Sequence, residues 1–128
     1  MTEADRTTLF LKWAKVKYPK TFAFEAKICK EQSLPFCAVK DHQVAALRRV
    51  NLGIFNYKIG DHGFDQKPFD GFQMTHCEAI VVIFWYQKRN DRRITLIPIN
   101  KWTAEIESSD RKSLTYERSC EIGHCDSL

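Results

Sequence analysis

The chain has 128 residues, of which 44% are hydrophobic, and it carries a formal net charge of +4. That length and hydrophobic content fit one globular domain over residues 1–128 with a core large enough to fold unaided, and we expect no second domain. The mild positive charge permits an anionic partner but does not require one.

The sequence holds no run of apolar residues that could span a membrane. The longest run, residues 79–86, falls far short of the ~20 residues that a membrane helix needs. The first residues, MTEADRTT, lack the basic-then-apolar pattern of a signal peptide. We therefore expect a cytoplasmic protein with no membrane partner. The five cysteines are odd in number and irregular in spacing, which favours reduced thiols over a disulfide framework.

A helix is predicted at the start of the chain. Thr2 and Asp5 have the spacing of a helix cap, and Pro19 ends the pattern. The apolar residues between them share one helical face, and they are Leu9, Trp13 and Val16.

Residues 21–29 alternate with a period of two, which predicts a strand. One face of this strand is apolar, whereas Glu25 and Lys27 lie together on the other. A pair of charges inside an apolar strand pattern is the feature of the sequence that most needs an explanation.

The rest of the chain predicts one further long helix, several strands and two short helices. The second helix is indicated by a stripe at helical spacing, formed by Val39, Gln43, Ala46, Leu47 and Val50. Strands are predicted at 54–59, 67–74, 79–86 and 94–99, and short helices at 102–106 and 114–122. Residues 79–86 are apolar on both faces, as in a central strand. This order predicts an α/β or α+β fold with a mixed central sheet flanked by helices.

Glu25 and Lys27 have the chemistry of a metal-assisted active site. Side chains two apart on a strand lie about 6.6 Å from each other at their Cα atoms, so both can reach one small ligand. A carboxylate can hold Mg²⁺, a lysine can orient water or stabilise negative charge, and the carbonyl of Ala26 is a further hard oxygen ligand. The alternative is an exposed Glu–Lys pair on an edge strand.

The run FEAKICKEQSLPFCAVKDHQVAALRRV resembles the E-x-K half of the PD-(D/E)xK nuclease superfamily. It is similar in particular to Holliday junction resolvases, including the RecU type and small phage-encoded relatives. The matching features are the E-x-K strand, the Leu-Pro-Phe element at 34–36, and Gln43 on the following helix. In those enzymes the glutamine faces the active site.

This resemblance implies a restriction-endonuclease-like core and a Mg²⁺- or Mn²⁺-dependent endonuclease that cuts DNA. It implies that Lys27 positions the nucleophile and that Gln43 steadies the phosphate. It also implies a branched or four-way junction as substrate, a homodimer with two sites, and the host cytoplasm as location if the protein is phage-encoded. Because fold and metal site do not determine the substrate, another DNA or an RNA substrate stays open.

One element of the superfamily pattern is missing. Its metal-binding Asp usually lies on a strand before E-x-K, but here only Glu3 and Asp5 precede Glu25. Asp70 is the candidate replacement, since it would oppose Glu25 at a Cβ separation of about 5 Å if its segment paired beside the E-x-K strand. Mg²⁺ would relieve the repulsion between the two carboxylates. The alternative for Asp70 is a turn residue before Gly71. Glu3 is a candidate outer metal ligand, and its alternative is a solvated side chain.

Basic residues supply candidate contacts to the nucleic-acid backbone. Such residues bind the phosphates electrostatically and without base specificity. They are Lys40, Arg48, Arg49, Lys67, Arg89, Arg92 and Arg93. Their alternative role is ordinary solubility. Asp61 and His62, in the loop before Asp70, could touch substrate. A weak zinc pattern is formed by a set of thiols and imidazoles, namely His76, Cys77, Cys120, His124 and Cys125.

A protein without catalytic activity is the rival interpretation. It would be a nucleic-acid-binding module, or a phage-encoded inhibitor of a host nuclease, that keeps the fold and the basic surface. The missing upstream Asp favours this rival.

Overall fold

The computed structural model describes residues 2–61 and 66–128. The fold is mixed α and β, with a central mixed sheet flanked by helices, as the sequence predicts. The sheet has the strand order β1-β5-β6-β8, and its strands are β1 (Phe22–Cys29), β5 (Glu78–Trp85), β6 (Arg93–Pro98) and β8 (His124–Ser127). β1 is parallel to β5, whereas the other neighbours are antiparallel.

The remaining elements lie on the two faces of this sheet or at its ends. The helices are α1 (Glu3–Lys17), α2 (Asp41–Leu52), α3 (Ile99–Ser108) and α4 (Tyr116–Ile122). Two short antiparallel ladders pair β2 (Ser33–Pro35) with β7 (Ser113–Thr115), and β3 (Ile54–Lys58) with β4 (Gly71–Thr75). The β2–β7 ladder and strand β8 are not predicted by the sequence, because runs of three or four residues are too short for a periodic pattern.

Helix α1 confirms the predicted cap but corrects the predicted buried face. Thr2 and Asp5 form a capping box. The buried residues of α1 are Arg6, Phe10 and Ala14, whereas Val16 is 72% exposed. Apolar residues are spread almost evenly around this helix, so the sheet beneath it decides which side is buried.

Strand β5 is buried along its length and separates two hydrophobic clusters, because alternate side chains leave it on opposite faces. Val81, Ile83 and Trp85 contribute to the cluster that contains α2 and α3. Ile80, Val82 and Phe84 contribute to the cluster beneath α1. The predicted central strand is therefore confirmed.

Strand β1 lies at the edge of the sheet and carries the same alternation. Phe22, Phe24 and Ile28 pack against the cluster beneath α1, while Ala23 packs against the other cluster. Glu25 and Lys27 share the face of Ala23, so they point to the side of α2.

No helix within residues 2–61 and 66–128 is both long enough and apolar enough to cross a membrane.

Candidate active site on strand β1

Glu25 and Lys27 form an ion pair on the α2 side of β1. The Lys27 Nζ atom lies 3.3 Å from Glu25 Oε1, and the two side chains are 19% and 26% exposed respectively. This partial burial weakens solvent screening of the pair. It also leaves both groups accessible to a ligand, so the pair differs from a fully solvated surface ion pair.

Gln43, which lies on helix α2, also contacts Glu25. Its Nε2 atom donates a hydrogen bond of 3.0 Å to Glu25 Oε1. Its Oε1 atom accepts a hydrogen bond of 2.9 Å from the backbone N–H of Lys40. Gln43 thus satisfies a free N–H at the start of α2 and holds the Glu25 carboxylate at the same time. One side chain therefore both caps the helix and contacts Glu25.

The segment between β1 and α2 explains why Gln43 reaches Glu25. Leu34, Phe36 and Val39 are buried in the α2-side cluster, so the connection is anchored against the sheet. Phe36 also packs edge-on against Trp102, with ring centroids 5.4 Å apart. These anchors bring the first turn of α2 over the middle of β1. The predicted Leu-Pro-Phe element therefore has a structural role in forming the site.

The second oxygen of Glu25 stays available. Lys27 and Gln43 both contact Oε1, and Oε2 accepts no hydrogen bond from residues 2–61 and 66–128. A carboxylate held at one oxygen and open at the other can accept a cation, a water molecule or a substrate hydroxyl.

The outer edge of β1 brings two further predicted groups near each other. The backbone N–H of Ile28 donates a hydrogen bond of 3.1 Å to Glu3 Oε2, at the start of α1. Ile28 therefore presents its backbone polar groups to the edge that faces away from β5. Ala26 is two residues earlier and presents its carbonyl to the same edge, because backbone direction alternates along a strand. Glu3 is consequently a part of this edge and not a solvated terminal residue.

The predicted ladder between the Asp70 segment and β1 is wrong. β4 follows Asp70 and pairs with β3, while β1 pairs with β5. The backbone carbonyl of Asp70 accepts a hydrogen bond of 2.7 Å from Ile59 and so extends the β3–β4 hairpin. The Asp70 side chain is 92% exposed and lies 3.0 Å from Lys67 Nζ. A hairpin between neighbouring segments closes a shorter loop than pairing with β1 would, which favours the local partner.

The chain therefore places one predicted carboxylate, that of Glu25, in the side-chain cluster on β1. Within the described parts of the chain, His, Cys, Asp and Glu side chains form no group of three that could hold a metal ion. A divalent cation with carboxylate ligands would need oxygen donors beyond Glu25 and the Ala26 carbonyl.

Five of the predicted nucleic-acid contacts are exposed, and they are Lys40, Arg48, Arg49, Arg89 and Arg92. The other two are engaged in the fold. Lys67 pairs with Asp61 and with Asp70, and these hydrogen bonds raise the pKa of its amine. His62 lies outside the described residues.

Arg93 is the second engaged residue. It binds Asp91 through Nε at 3.0 Å and Nη2 at 2.8 Å, and its guanidinium carbon lies 4.3 Å from the centre of the Tyr116 ring. The hydrogen bond to Asp91 raises its pKa. Arg93 has a structural role, because its charge is neutralised locally and its planar group is stacked.

The cysteines correct a further expectation. Cys120 and Cys125 form a disulfide that joins α4 to β8, whereas Cys29, Cys37 and Cys77 are free. The expectation of reduced thiols throughout is therefore wrong for one pair. That pair also supplies no thiolates to the alternative zinc pattern.

Arg6 is a buried charge that the sequence pattern does not single out. It is 2% exposed, and its guanidinium carbon lies 4.8 Å from the centre of the Tyr86 ring. Its spacing of four residues from Phe10 is the signal that could have found it, since both occupy the sheet-facing side of α1.

No family model, curated protein or solved structure matches this chain. The interpretation of the site therefore depends on its geometry and on the sequence pattern around it.

Proposed function

We propose that the protein is a metal-dependent endonuclease that hydrolyses DNA phosphodiester bonds, with a four-way junction as its preferred substrate. The supporting observation is the convergence of Lys27 and Gln43 on one oxygen of Glu25. A lysine, a glutamine and a carboxylate from two elements, meeting on an open strand, can orient reactants and stabilise charge in phosphodiester hydrolysis.

The site offers hard oxygen donors of the kind that Mg²⁺ or Mn²⁺ prefers. Glu25 would hold the ion through Oε2, the Ala26 carbonyl would contribute from the edge of β1, and Glu3 lies near that edge through its bond to Ile28. When bound, such an ion supplies a Lewis acid that activates water and neutralises charge on the phosphate.

The chain's own side chains divide the remaining tasks. The Lys27 ammonium donates hydrogen bonds to the attacking water and offsets negative charge as the phosphorus becomes five-coordinate. The Gln43 amide keeps the Glu25 carboxylate in one orientation, which lowers the entropic cost of assembling the site. The Gln43 amide nitrogen carries two N–H donors, and the one that does not bind Glu25 can donate to a phosphate oxygen.

Substrate binding is supported by exposed basic residues on the helix that carries Gln43. Lys40, Arg48 and Arg49 belong to α2 or to the residue before it, and all three are exposed. Such residues bind the phosphate backbone without reading bases, as expected for an enzyme that recognises the shape of a junction. A homodimer with two sites would match the two strands that a junction resolvase must cut.

A second candidate function is a nucleic-acid-binding protein without catalytic activity. It is favoured by one observation: Asp70 forms an ion pair with Lys67 at an exposed position, so the second predicted carboxylate is engaged elsewhere. In this alternative, Glu25, Lys27 and Gln43 act as a polar network that orders the start of α2.

Cleavage assays distinguish the two functions. Purified protein would be mixed with a four-way junction, duplex DNA and single-stranded DNA, in Mg²⁺ or Mn²⁺ and in EDTA. Lys27→Ala removes one charge-stabilising donor and should lower the cleavage rate by about 10²–10³. Glu25→Gln should do the same, whereas Lys12→Ala, an exposed lysine on α1, should cut like the wild type.

Metal-dependent cleavage that is lost in Lys27→Ala and retained in Lys12→Ala supports the nuclease. Binding to the junction without cleavage in either metal supports the alternative. Cleavage that is equal in wild type and Lys27→Ala would refute the assignment of the site.

A further inference from the structure

Three aromatic side chains form an exposed face on the β3–β4 hairpin. Phe55 and Tyr57 leave β3 on one side, and Phe72 leaves β4 on the same side, because it is paired directly with Tyr57. The ring centroids are 6.1–6.3 Å apart, and each pair of ring planes is inclined by 40° or less. Tyr57 is 58% exposed and Phe72 is 39% exposed. We call these three side chains the aromatic face.

The aromatic face is anchored at its base against the body of the protein. Phe55 and its ladder partner Met74 pack against the hydrophobic cluster on the α2 side of the sheet. Ala23 packs against the same cluster, and it shares its face of β1 with Glu25. The aromatic face therefore begins on the side of the sheet that carries the candidate active site, and its exposed part extends from there along the hairpin.

The hairpin by itself does not explain why these rings are exposed. Aromatic pairs across a ladder stabilise it through ring–ring contact, but such pairs do so equally well when the protein covers them. The opposite face of the hairpin is polar apart from Ile54, and its exposed residues are Asn56, Lys58, Gln73 and Thr75. A cluster of exposed rings on one face only is typical of a surface that binds a partner.

The charge of the surrounding segments suits a polyanion. Residues 42–60 and 71–77 contain no aspartate or glutamate. They include three exposed cations, namely Arg48, Arg49 and Lys58. The acidic residue next to the hairpin, Asp70, is paired with Lys67. Rings combined with cations are the groups that bind single-stranded nucleic acid, because bases stack on the rings while the cations bind the phosphates.

We propose that the aromatic face binds the unpaired bases of a single-stranded DNA or RNA segment by stacking. Tyr57 and Phe72 are the stacking rings, and the three exposed cations bind the neighbouring phosphates. The bases of a duplex are already paired and stacked on one another, so their faces are not available to these rings. This surface requires neither a metal ion nor the candidate active site, so it goes beyond the nuclease proposal and does not depend on it.

A second copy of this chain fits the aromatic face less well. A two-fold axis through the face would bring the same cations of both copies together, and like charges repel. A stable interface also buries about 800 Å² on each partner. A whole aromatic side chain buries only about 150–250 Å², so two partly exposed rings supply a small part of that area. Stacking on individual bases needs no larger surface than these rings offer.

Fluorescence anisotropy in EDTA tests the stacking directly. The probes are a labelled oligothymidylate of about 12 nucleotides and an abasic oligonucleotide of the same length, which keeps the phosphates but has no bases. Wild type should bind the oligothymidylate at least ~10-fold more tightly than the abasic probe. Tyr57→Leu and Phe72→Leu should each weaken oligothymidylate binding by about 5- to 150-fold and leave abasic binding unchanged. Ile54→Ala, at a 62% exposed position on the opposite face, should bind like the wild type.

Salt dependence separates the rings from the cations. Lys58→Ala removes one phosphate contact, so it should reduce the slope of log Kd against log salt concentration by about 0.7. Phe72→Leu removes no charge and should leave that slope unchanged. Tyr57→Trp keeps an aromatic ring, so it should bind at least as tightly as the wild type. Its added tryptophan emission should be quenched by the oligothymidylate and not by the abasic probe.

Equal affinity of the wild type for the two probes overturns the proposal, and this comparison needs no variant. Leucine variants that weaken duplex binding as much as oligothymidylate binding also overturn it, and circular dichroism melting checks that they are folded. A dimer in sedimentation velocity that Phe72→Leu abolishes, without oligonucleotide binding, would assign the aromatic face to self-association instead. DNA cleavage is not read in these experiments, so failure of this surface and failure of the nuclease assignment give different results.

Discussion

Asp91 makes a prediction about stability that can be worked out in detail. Its side chain is 1% exposed and lies 2.8 Å from Arg93 Nη2. It also accepts backbone hydrogen bonds of 3.2 Å from Gln87 and Arg93. The side-chain hydrogen bond from Arg93 is the largest cause of a carboxyl pKa lowered from 3.8 to about 2. Asp91 thus closes the turn between β5 and β6, on which the exposed Arg89 and Arg92 are displayed.

The pKa shift has a direct consequence for stability. The pKa of the Asp91 carboxyl is lower in the folded protein than in the unfolded chain. Asp91 therefore stabilises the fold fully above pH ~4, and this contribution is lost as the pH falls toward ~2. Lowering the pKa of Asp91 by this amount corresponds to about 2 kcal/mol of folding free energy. Asp91→Asn removes the charge but leaves the buried Arg93 contact in place, so it should lower the free energy of unfolding at pH 7 by about 2–4 kcal/mol.

Urea unfolding at pH 7, and again between pH 5 and pH 2, measures both effects. Wild type should lose stability across the acidic range, and Asp91→Asn should lose about 2 kcal/mol less over the same range. The exposed Asp110 offers a matched control, since Asp110→Asn should follow the wild-type curve. Equal stability of Asp91→Asn and wild type at pH 7, or parallel pH curves, would refute the role assigned to the ion pair.

Two further predictions compare matched positions. Phe10 is 0% exposed, so Phe10→Ala should lower the free energy of unfolding by about 3–5 kcal/mol. Val16→Ala on the same helix should change it by less than ~0.5 kcal/mol. Equal losses of unfolding free energy in urea denaturation would show that the buried face of α1 is assigned wrongly. Gly123→Ala would place a Cβ atom 2.5 Å from a backbone carbonyl oxygen of β6 and should cost about 1–3 kcal/mol. A Cβ atom at Gly60 would have no atom of the described residues within 4 Å, so Gly60→Ala should be tolerated in the same thermal melts. A wild-type melting temperature for both variants would contradict the close approach at Gly123.

Much of the fold follows from local sequence patterns. The alternation of residues 21–29, the apolar run at 79–86 and the cap at Thr2 each depend on neighbours a few positions away, and each predicted element is present. The resemblance to the nuclease superfamily also implies that Gln43 faces the site of Glu25, and the structure brings the two side chains together. Both residues lie within one continuous stretch of the chain.

What the local pattern does not determine is the choice among distant partners. Asp70 pairs with Lys67 instead of approaching Glu25, Arg6 is buried while Val16 is exposed, and Cys120 bonds to Cys125. The sequence by itself therefore determined the elements, because periodicity and capping act over a few residues. Only the tertiary structure decided which strands pair and which edge stays open, since loop closure, burial and charge pairing are settled by the whole chain at once.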